Sequence, residues 1–155
     1  FSEIKDIYKK QKPKLITFLR EPIARVVSNY YWWKNSLKDK PSHPVYHRRH
    51  DSLSTYVESK ITQNKMSYFL KGSSLKDFSY LGFLHTFEED VAQIAQIFDW
   101  PVAPKFHEKK ASSFLTKPRE PLSDALVKKL RKLNRKDIAL YEKAVKRKEK
   151  AKRLG

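Results

Sequence analysis

The chain contains no cysteine and only three glycines, and these scarcities exclude several kinds of site. Without cysteine no disulfide can form, which leaves the cellular compartment open. Gly72, Gly82 and Gly155 are too far apart to form the glycine-rich loop that cradles phosphates in Walker-type or dinucleotide-binding proteins. No apolar run approaches the roughly 20 residues that a membrane-spanning helix requires. We therefore expect no transmembrane segment in this chain.

Acidic residues are also scarce relative to basic ones. The chain has 34 Lys and Arg against 17 Asp and Glu, which gives a net charge of +17. Such a field favours polyanionic partners, namely nucleic acid, acidic lipid surfaces, or sulfated and carboxylated polysaccharides. Much of the excess lies in a basic helical tail at residues 123–155, a pattern typical of a solvated helix face that frays into disorder.

The apolar pattern predicts an α/β domain. Two short continuous apolar runs, at residues 15–19 and 78–84, are typical of buried strands, and five or more amphipathic segments predict helices. Continuous rather than alternating apolar strands favour parallel pairing in a small sheet that helices cover. With 155 residues, we expect a single domain.

One strand-to-helix junction stands out as a candidate anion site. The apolar run ends at Leu19, Arg20 follows it, and Pro22 suits the first position of a helix. Arg20 therefore lies at the carboxyl end of a strand and before a helix N-terminus, where open α/β sheets bind anions. Ser28 comes seven residues after Glu21, close to two helical turns, so its hydroxyl is expected on the side of the strand exit. A guanidinium and a hydroxyl facing one point would form a phosphate clamp.

Residues 15–31 resemble the 3′-phosphate-binding segment of sulfotransferases that use 3′-phosphoadenosine 5′-phosphosulfate (PAPS). Within that family, the segment is more similar to the Golgi carbohydrate type, the heparan and chondroitin enzymes, with bacterial relatives. This resemblance implies that Arg20 and Ser28 hold the 3′-phosphate of the donor. It also implies a P-loop-NTPase-like sulfotransferase fold.

Three further stretches resemble segments of the same family, in the same order. Asn64–Gly72 is similar to its Asn-x-x-(Thr)-(Arg)-Tyr-Leu-x-Gly segment, and Tyr80–Glu89 to its strand-to-helix junction. Leu130–Ala144 is similar to its closing Asn-x-x-Asp-x-x-Leu-Tyr helix. The resemblance therefore extends over most of the chain.

The departures from the family pattern are informative. The family binds the 5′-phosphosulfate in a Gly- and Lys-containing turn after its first strand, and these 155 residues contain no such turn. The general base usually lies between that turn and the Arg-Pro segment, so no catalytic residue is assigned. We expect one partial domain over residues 1–155, with the first βα unit missing and little activity in the isolated piece.

The remaining candidate residues are basic. The loop at residues 101–121 resembles one that closes over the nucleotide, which implies donor contacts from Lys109, Lys110 and Lys117. Arg48 and Arg49 lie in a Pro-containing loop and are candidates for binding an acidic substrate. The neighbouring histidines, His43, His47 and His50, do not predict a metal site because Pro44 interrupts them and no carboxylates support them.

The expected function is transfer of a sulfuryl group from PAPS to a hydroxyl of an acceptor, with an anionic or neutral glycan as the expected acceptor and no metal. The alternative is a non-catalytic, basic helical module that binds polyanions. No zinc-finger spacing, RNA-binding signature or basic zipper supports nucleic acid as the partner. The sequence does not give the oligomeric state, and the compartment would be the Golgi lumen in a eukaryote and the cytoplasm in a bacterium.

Overall fold

The computed structural model describes residues 13–43, 46–100 and 121–154. In chain order, the described elements are β1 (Ile16–Leu19), α1 (Pro22–Ser36), α2 (Leu53–Glu58), α3 (Lys65–Phe69), β2 (Tyr80–Phe83), α4 (Phe87–Ile97), α5 (Asp124–Leu133) and α6 (Arg135–Leu154). Short 3₁₀ turns occur at Tyr46–His50, Lys60–Thr62, Leu75–Asp77 and Leu84–Thr86. The chain thus has the mixed α/β character that its apolar pattern predicts.

Backbone contacts divide the chain into two compact units, each described by itself. The strand unit comprises residues 1–20, 65–105 and 136–155, and the helical unit comprises residues 21–64 and 106–135. The strand unit therefore contains β1, β2, α3 and α4, together with α6 from Lys136 onwards. The helical unit contains α1, α2 and α5.

A two-stranded parallel sheet lies at the centre of the strand unit. Ile16 is the partner of Tyr80 and Leu19 the partner of Phe83, so the expected parallel pairing is confirmed. Glycine is required at position 82, because a Cβ there would lie 2.4 Å from the Phe18 ring. The core of this unit consists of Leu19, Met66, Phe78, Leu81, Phe83 and Ala144.

The helical unit packs around α1. The Glu21 carboxylate accepts a hydrogen bond from the N–H of Ala24 at 2.6 Å, and Pro22 occupies the first turn as expected. The apolar face of α1 packs with residues from α2 and α5 in a core of Val26, Val27, Tyr30, Tyr56, Val57 and Leu130. Tyr30 and Trp33 each pack against the Tyr56 ring, whereas Trp32 is 56% exposed.

Side-chain hydrogen bonds cap two helices of the helical unit but not α4. The Ser52 and Ser123 side chains accept hydrogen bonds from the N–H groups of Thr55 and Leu126, which caps α2 and α5. Thr86 precedes α4 and makes no capping bond. Its hydroxyl instead donates to Asp90 at 2.9 Å, because a buried carboxylate lies within reach one turn away.

The expectation that the basic tail is a solvated, frayed segment was wrong for its inner face. Helix α6 continues to Leu154, and Ala144 is fully buried. Arg147 donates to the carbonyl of Phe78 at 3.1 Å, and Lys148 forms an ion pair with Asp90. The tail is held because two of its cations have partners in the strand unit. None of the described helices is long and apolar enough to span a bilayer.

Candidate functional site

The carboxyl edge of the parallel sheet positions the candidate site. Because Leu19 and Phe83 are in register in parallel strands, the chain leaves both strands at the same edge of the sheet. Arg20 follows the first strand, and Leu84 and His85 follow the second. Neighbouring strands lie about 4.8 Å apart, so the backbones of these two exits are neighbours. This edge is where open α/β sheets bind ligands.

Asp90 holds the second exit in place from within the strand unit. This carboxylate is only 1% exposed and accepts hydrogen bonds from the N–H of Phe83 at 2.6 Å and the hydroxyl of Thr86 at 2.9 Å. It also accepts from the Tyr80 hydroxyl at 2.9 Å and pairs with the Lys148 ammonium. Three of these partners precede α4 and one comes from α6, so Asp90 ties the end of β2 to two helices.

The charge state of Asp90 follows from these contacts. Burial by itself raises the pKa of Asp90, but the Lys148 ammonium and the three other donors outweigh burial and lower the pKa below its usual value. Conversely, burial and the adjacent Asp90 carboxylate strongly raise the pKa of Tyr80, so the phenol stays protonated and keeps donating. The positive charge of Lys148 is thus paired with the Asp90 carboxylate inside the unit.

His85 is the exposed titratable group at this edge. Its Nδ1 lies 3.4 Å from the Tyr141 hydroxyl, and its ring lies 5.6 Å from the Phe83 ring. A cavity of about 140 Å³ opens beside it, lined by Phe83, His85, Thr86, Val145, Lys148 and Glu149. The imidazole that lines this cavity can donate or accept hydrogen bonds. The sequence pattern indicated Tyr141 only as a member of the closing helix motif.

Arg20 and Ser28 are each found in the local structure that the sequence predicts. Arg20 is half-buried between the last residue of β1 and Glu21, the residue that caps α1. Ser28 is half-buried in the second turn of α1. Arg25 donates from Nη2 to the carbonyl of Thr62 at 3.1 Å, which connects α1 to the 3₁₀ turn at Lys60–Thr62.

The two substrate-binding candidates of the histidine-containing loop differ in their surroundings. Arg48 donates to the Asp51 carboxylate at 2.9 Å and to the Ser59 hydroxyl at 2.8 Å, so its guanidinium connects two turns of the helical unit. Arg49 stacks over the Tyr46 ring at 3.7 Å.

Tyr56 is buried in the interior of the helical unit. Burial raises the pKa of Tyr56 to about 12, although the nearby Arg25 and Arg48 act to lower it.

Two expectations concern basic side chains of the loop at residues 101–121 and the absence of a metal. Lys109, Lys110 and Lys117 fall outside the described residues. Within residues 13–43, 46–100 and 121–154, no cluster of three or more His, Asp or Glu side chains could hold a metal ion.

A comparison with protein families gives the family of the chain. The model described as the sulfotransferase family matches residues 2–144. The chain belongs to the sulfotransferase family. Searches of curated proteins and of solved structures returned no match. The resemblance of the chain to the sulfotransferase family is therefore confirmed.

Membership of the sulfotransferase family makes sulfuryl transfer the class of chemistry for this domain. A sulfotransferase needs a sulfuryl donor, and the strand edge that carries Arg20 has the position and charge suited to an anionic one. The sequence features missed by pattern reasoning are Asp90 and Lys148, which support this edge from inside. Glu88, Glu89 and Asp90 all read as first-turn acids of α4, and nothing local distinguishes the buried one.

Proposed function

We propose that this protein transfers a sulfuryl group from PAPS to a hydroxyl of a carbohydrate acceptor. The acceptor oxygen attacks sulfur, the bond between sulfur and the donor's phosphate oxygen breaks, and adenosine 3′,5′-bisphosphate leaves while the hydroxyl proton passes to a base. The single observation that supports this proposal best is the parallel pairing of Leu19 with Phe83, because it puts Arg20 at the anion-binding edge of the sheet.

The roles of the basic residues follow from this proposal. Arg20 and Ser28 bind the donor's 3′-phosphate, an assignment that rests on their spacing and on the family pattern around Pro22. Lys109, Lys110 and Lys117 provide positive charge near the nucleotide, and Arg49 and Arg48 contact an acidic acceptor. Positive groups favour this reaction because charge builds on the departing oxygens, as it does in phosphoryl transfer.

We also propose that the 5′-phosphosulfate loop is not among these 155 residues. The glycines of the chain are isolated, at positions 72, 82 and 155, and none precedes a Lys-Ser or Lys-Thr pair. In this view, the P-loop-like first βα unit is not among these residues either. The isolated chain then binds nucleotide through the 3′-phosphate but turns over little or no donor.

Calorimetric titration with adenosine 3′,5′-bisphosphate tests the proposal. We expect saturable binding with one site per chain, and much weaker binding of adenosine 5′-monophosphate, which lacks the 3′-phosphate. Equal binding of the two nucleotides would remove the assignment of the 3′-phosphate site. If neither nucleotide bound, the proposal that PAPS is the donor would be contradicted.

The outer face of α6 favours a second candidate function, that of a polyanion-binding module. Lys143, Lys146, Lys150 and Arg153 are exposed and follow one another at steps of three, four and three residues. These steps keep the four cations on one face of the helix over about 15 Å. Binding through this face would depend strongly on salt and would not distinguish the 3′-phosphate from other anions.

A further inference from the structure

Two adjacent aromatic side chains of α3 are unusually exposed. Tyr68 is 65% exposed and Phe69 is 68% exposed, more than any other large apolar side chain among the described residues. Their ring centroids lie 5.6 Å apart in an edge-to-face arrangement. Exposed apolar groups of this size that stand together commonly mark a binding surface, because leaving them in water costs free energy.

These rings are presented by an anchored turn. The fully buried Asp137 accepts hydrogen bonds from the N–H of Met66 at 3.0 Å and from the N–H of Ser67 at 2.8 Å. Met66 packs in the core of the strand unit, and Leu70 packs against that core. The segment is therefore fixed on both sides of the aromatic pair. This lowers the conformational-entropy cost of binding a ligand there.

The aromatic pair is accompanied by positive charge. The Lys65 ammonium lies 5.1 Å from the centre of the Tyr68 ring and 5.7 Å from that of Phe69. In the part of the chain that the structure describes, no carboxylate lies within ion-pair distance of Lys65. Lys71, two residues after Phe69, is exposed. A ligand that covers the rings would therefore meet at least one ammonium.

A small cavity of mixed character lies beside the same turn. It has a volume of about 240 Å³, and its lining combines Ser67, Lys71, Gly72, Ser73 and Ser74 with the apolar residues Leu70, Leu75, Phe78 and Leu140. Gly72 has a φ of +86°, a conformation that favours glycine and allows the chain to turn around the cavity. Serine hydroxyls both donate and accept hydrogen bonds, so this lining suits a ligand rich in hydroxyl groups.

We propose that Tyr68, Phe69, Lys65 and the serine-lined cavity form a binding platform for a sugar residue of an acidic oligosaccharide acceptor. This inference rests on the proposed sulfotransferase function and names a subsite for its acceptor. One face of a pyranose ring presents C–H groups that pack on an aromatic face, while its hydroxyls reach the serines. A uronate carboxylate on the same chain pairs with Lys65 or Lys71.

The test measures binding of an unsulfated chondroitin hexasaccharide, in which uronate and N-acetylhexosamine alternate, by calorimetry on the full chain. The variant Tyr68→Ser/Phe69→Ser should bind this probe at least ten-fold more weakly than the unsubstituted protein. The matched control is Ile97→Ser/Trp100→Ser, which removes two other exposed apolar side chains of the strand unit and should leave the affinity unchanged. Tyr68→Phe should retain most of the affinity because the ring is kept, whereas Lys65→Gln should weaken binding of the acidic probe.

Several outcomes would overturn the platform. Equal losses of affinity in the aromatic variant and in the control would mean nonspecific binding to exposed apolar side chains. Unchanged affinity in the aromatic variant would mean that the sugar binds at another site. If the aromatic variant lost binding to anionic phospholipid vesicles but kept binding to the hexasaccharide, the aromatic pair would be a membrane-binding surface instead. Adenosine 3′,5′-bisphosphate, titrated in parallel, should bind all variants equally. Failure of the nucleotide to bind would contradict the proposed function, while failure of the sugar alone would contradict only this inference.

Discussion

The carboxylate of Asp90 accepts a hydrogen bond from the backbone N–H of Phe83 at 2.6 Å, across the junction between β2 and α4. Phe83 is the last residue of its strand and the partner of Leu19. The buried carboxylate therefore holds the point at which the chain leaves the sheet beside Arg20. A change at Asp90 would move the edge of the candidate site although Asp90 contacts no part of a ligand there.

We predict that Asp90→Asn destabilises the protein by about 3 kcal/mol, because it leaves the Lys148 ammonium, only 14% exposed, without its counter-charge. Chemical denaturation measures this loss. Asp124→Asn is the matched control, since Asp124 is exposed in the first turn of α5, and we expect a loss of less than about 1 kcal/mol there. Similar losses in the two variants would contradict the role of Asp90.

The same substitution changes the pH dependence of stability. The pKa of Asp90 is lower in the folded protein than the unfolded value of about 3.9, so its stabilising contribution is fully present above that pH. It is lost as the pH falls through the folded pKa. The free energy of unfolding should therefore fall less steeply below about pH 4 in Asp90→Asn than in the unsubstituted protein. Parallel slopes in the two proteins would show that Asp90 is not the group that titrates.

Asp137→Asn should loosen α3, because an amide can accept one of the two hydrogen bonds that the carboxylate accepts from Met66 and Ser67. We expect a loss of about 1–3 kcal/mol, the cost of a buried donor without a partner. Faster hydrogen exchange at the N–H groups of Met66 and Ser67 measures the effect directly. Asp77→Asn, which alters an exposed capping carboxylate, should cost less. Unaltered exchange at both amides would show that the carboxylate does not hold this turn.

Arg20→Ala should weaken binding of adenosine 3′,5′-bisphosphate by about 1–3 kcal/mol, the range for hydrogen bonds to charged groups. Arg20→Lys should lose part of this affinity, because an ammonium keeps the charge but not the two-pronged geometry. Ser28→Ala should cause a smaller loss. Arg131→Ala, which removes the same charge from the exposed face of α5, is the control and should leave affinity unchanged. An equal loss of affinity in Arg131→Ala and in Arg20→Ala would show that the effect comes from net charge and not from a specific contact.

The exposed cations of α6 should dominate binding to sulfated polysaccharide. Lys143→Gln/Lys146→Gln/Lys150→Gln should reduce the slope of log affinity against log salt by about 2–3, because three contacts that release counterions are lost. The variant Lys128→Gln/Arg131→Gln/Lys132→Gln removes three exposed charges from α5 and serves as the control. Measurement of heparin affinity across a salt series distinguishes them. Identical slopes for the two variants would attribute binding to the net charge of +17 rather than to one face.

Local sequence patterns were sufficient to predict both strands, the start of α1 and the order of these elements. The apolar run before Arg20 became β1, the second apolar run contains β2, and Pro22 began α1. Each of these signals depends on residues within a few positions of one another, so a single sequence contains the whole signal. The same holds for the family segments that the comparison supports.

By itself, the sequence determined that this chain is a basic α/β member of the sulfotransferase family with parallel strands. Only the tertiary structure decided which charged side chains face inwards. Asp90 and Lys148 are 58 residues apart, and Asp137 lies about 70 residues from the N–H groups that it caps. A buried charge is stable only beside its partner, and these partners meet through folding of distant segments. The inward-facing members of each charged run therefore look no different in sequence from their solvated neighbours.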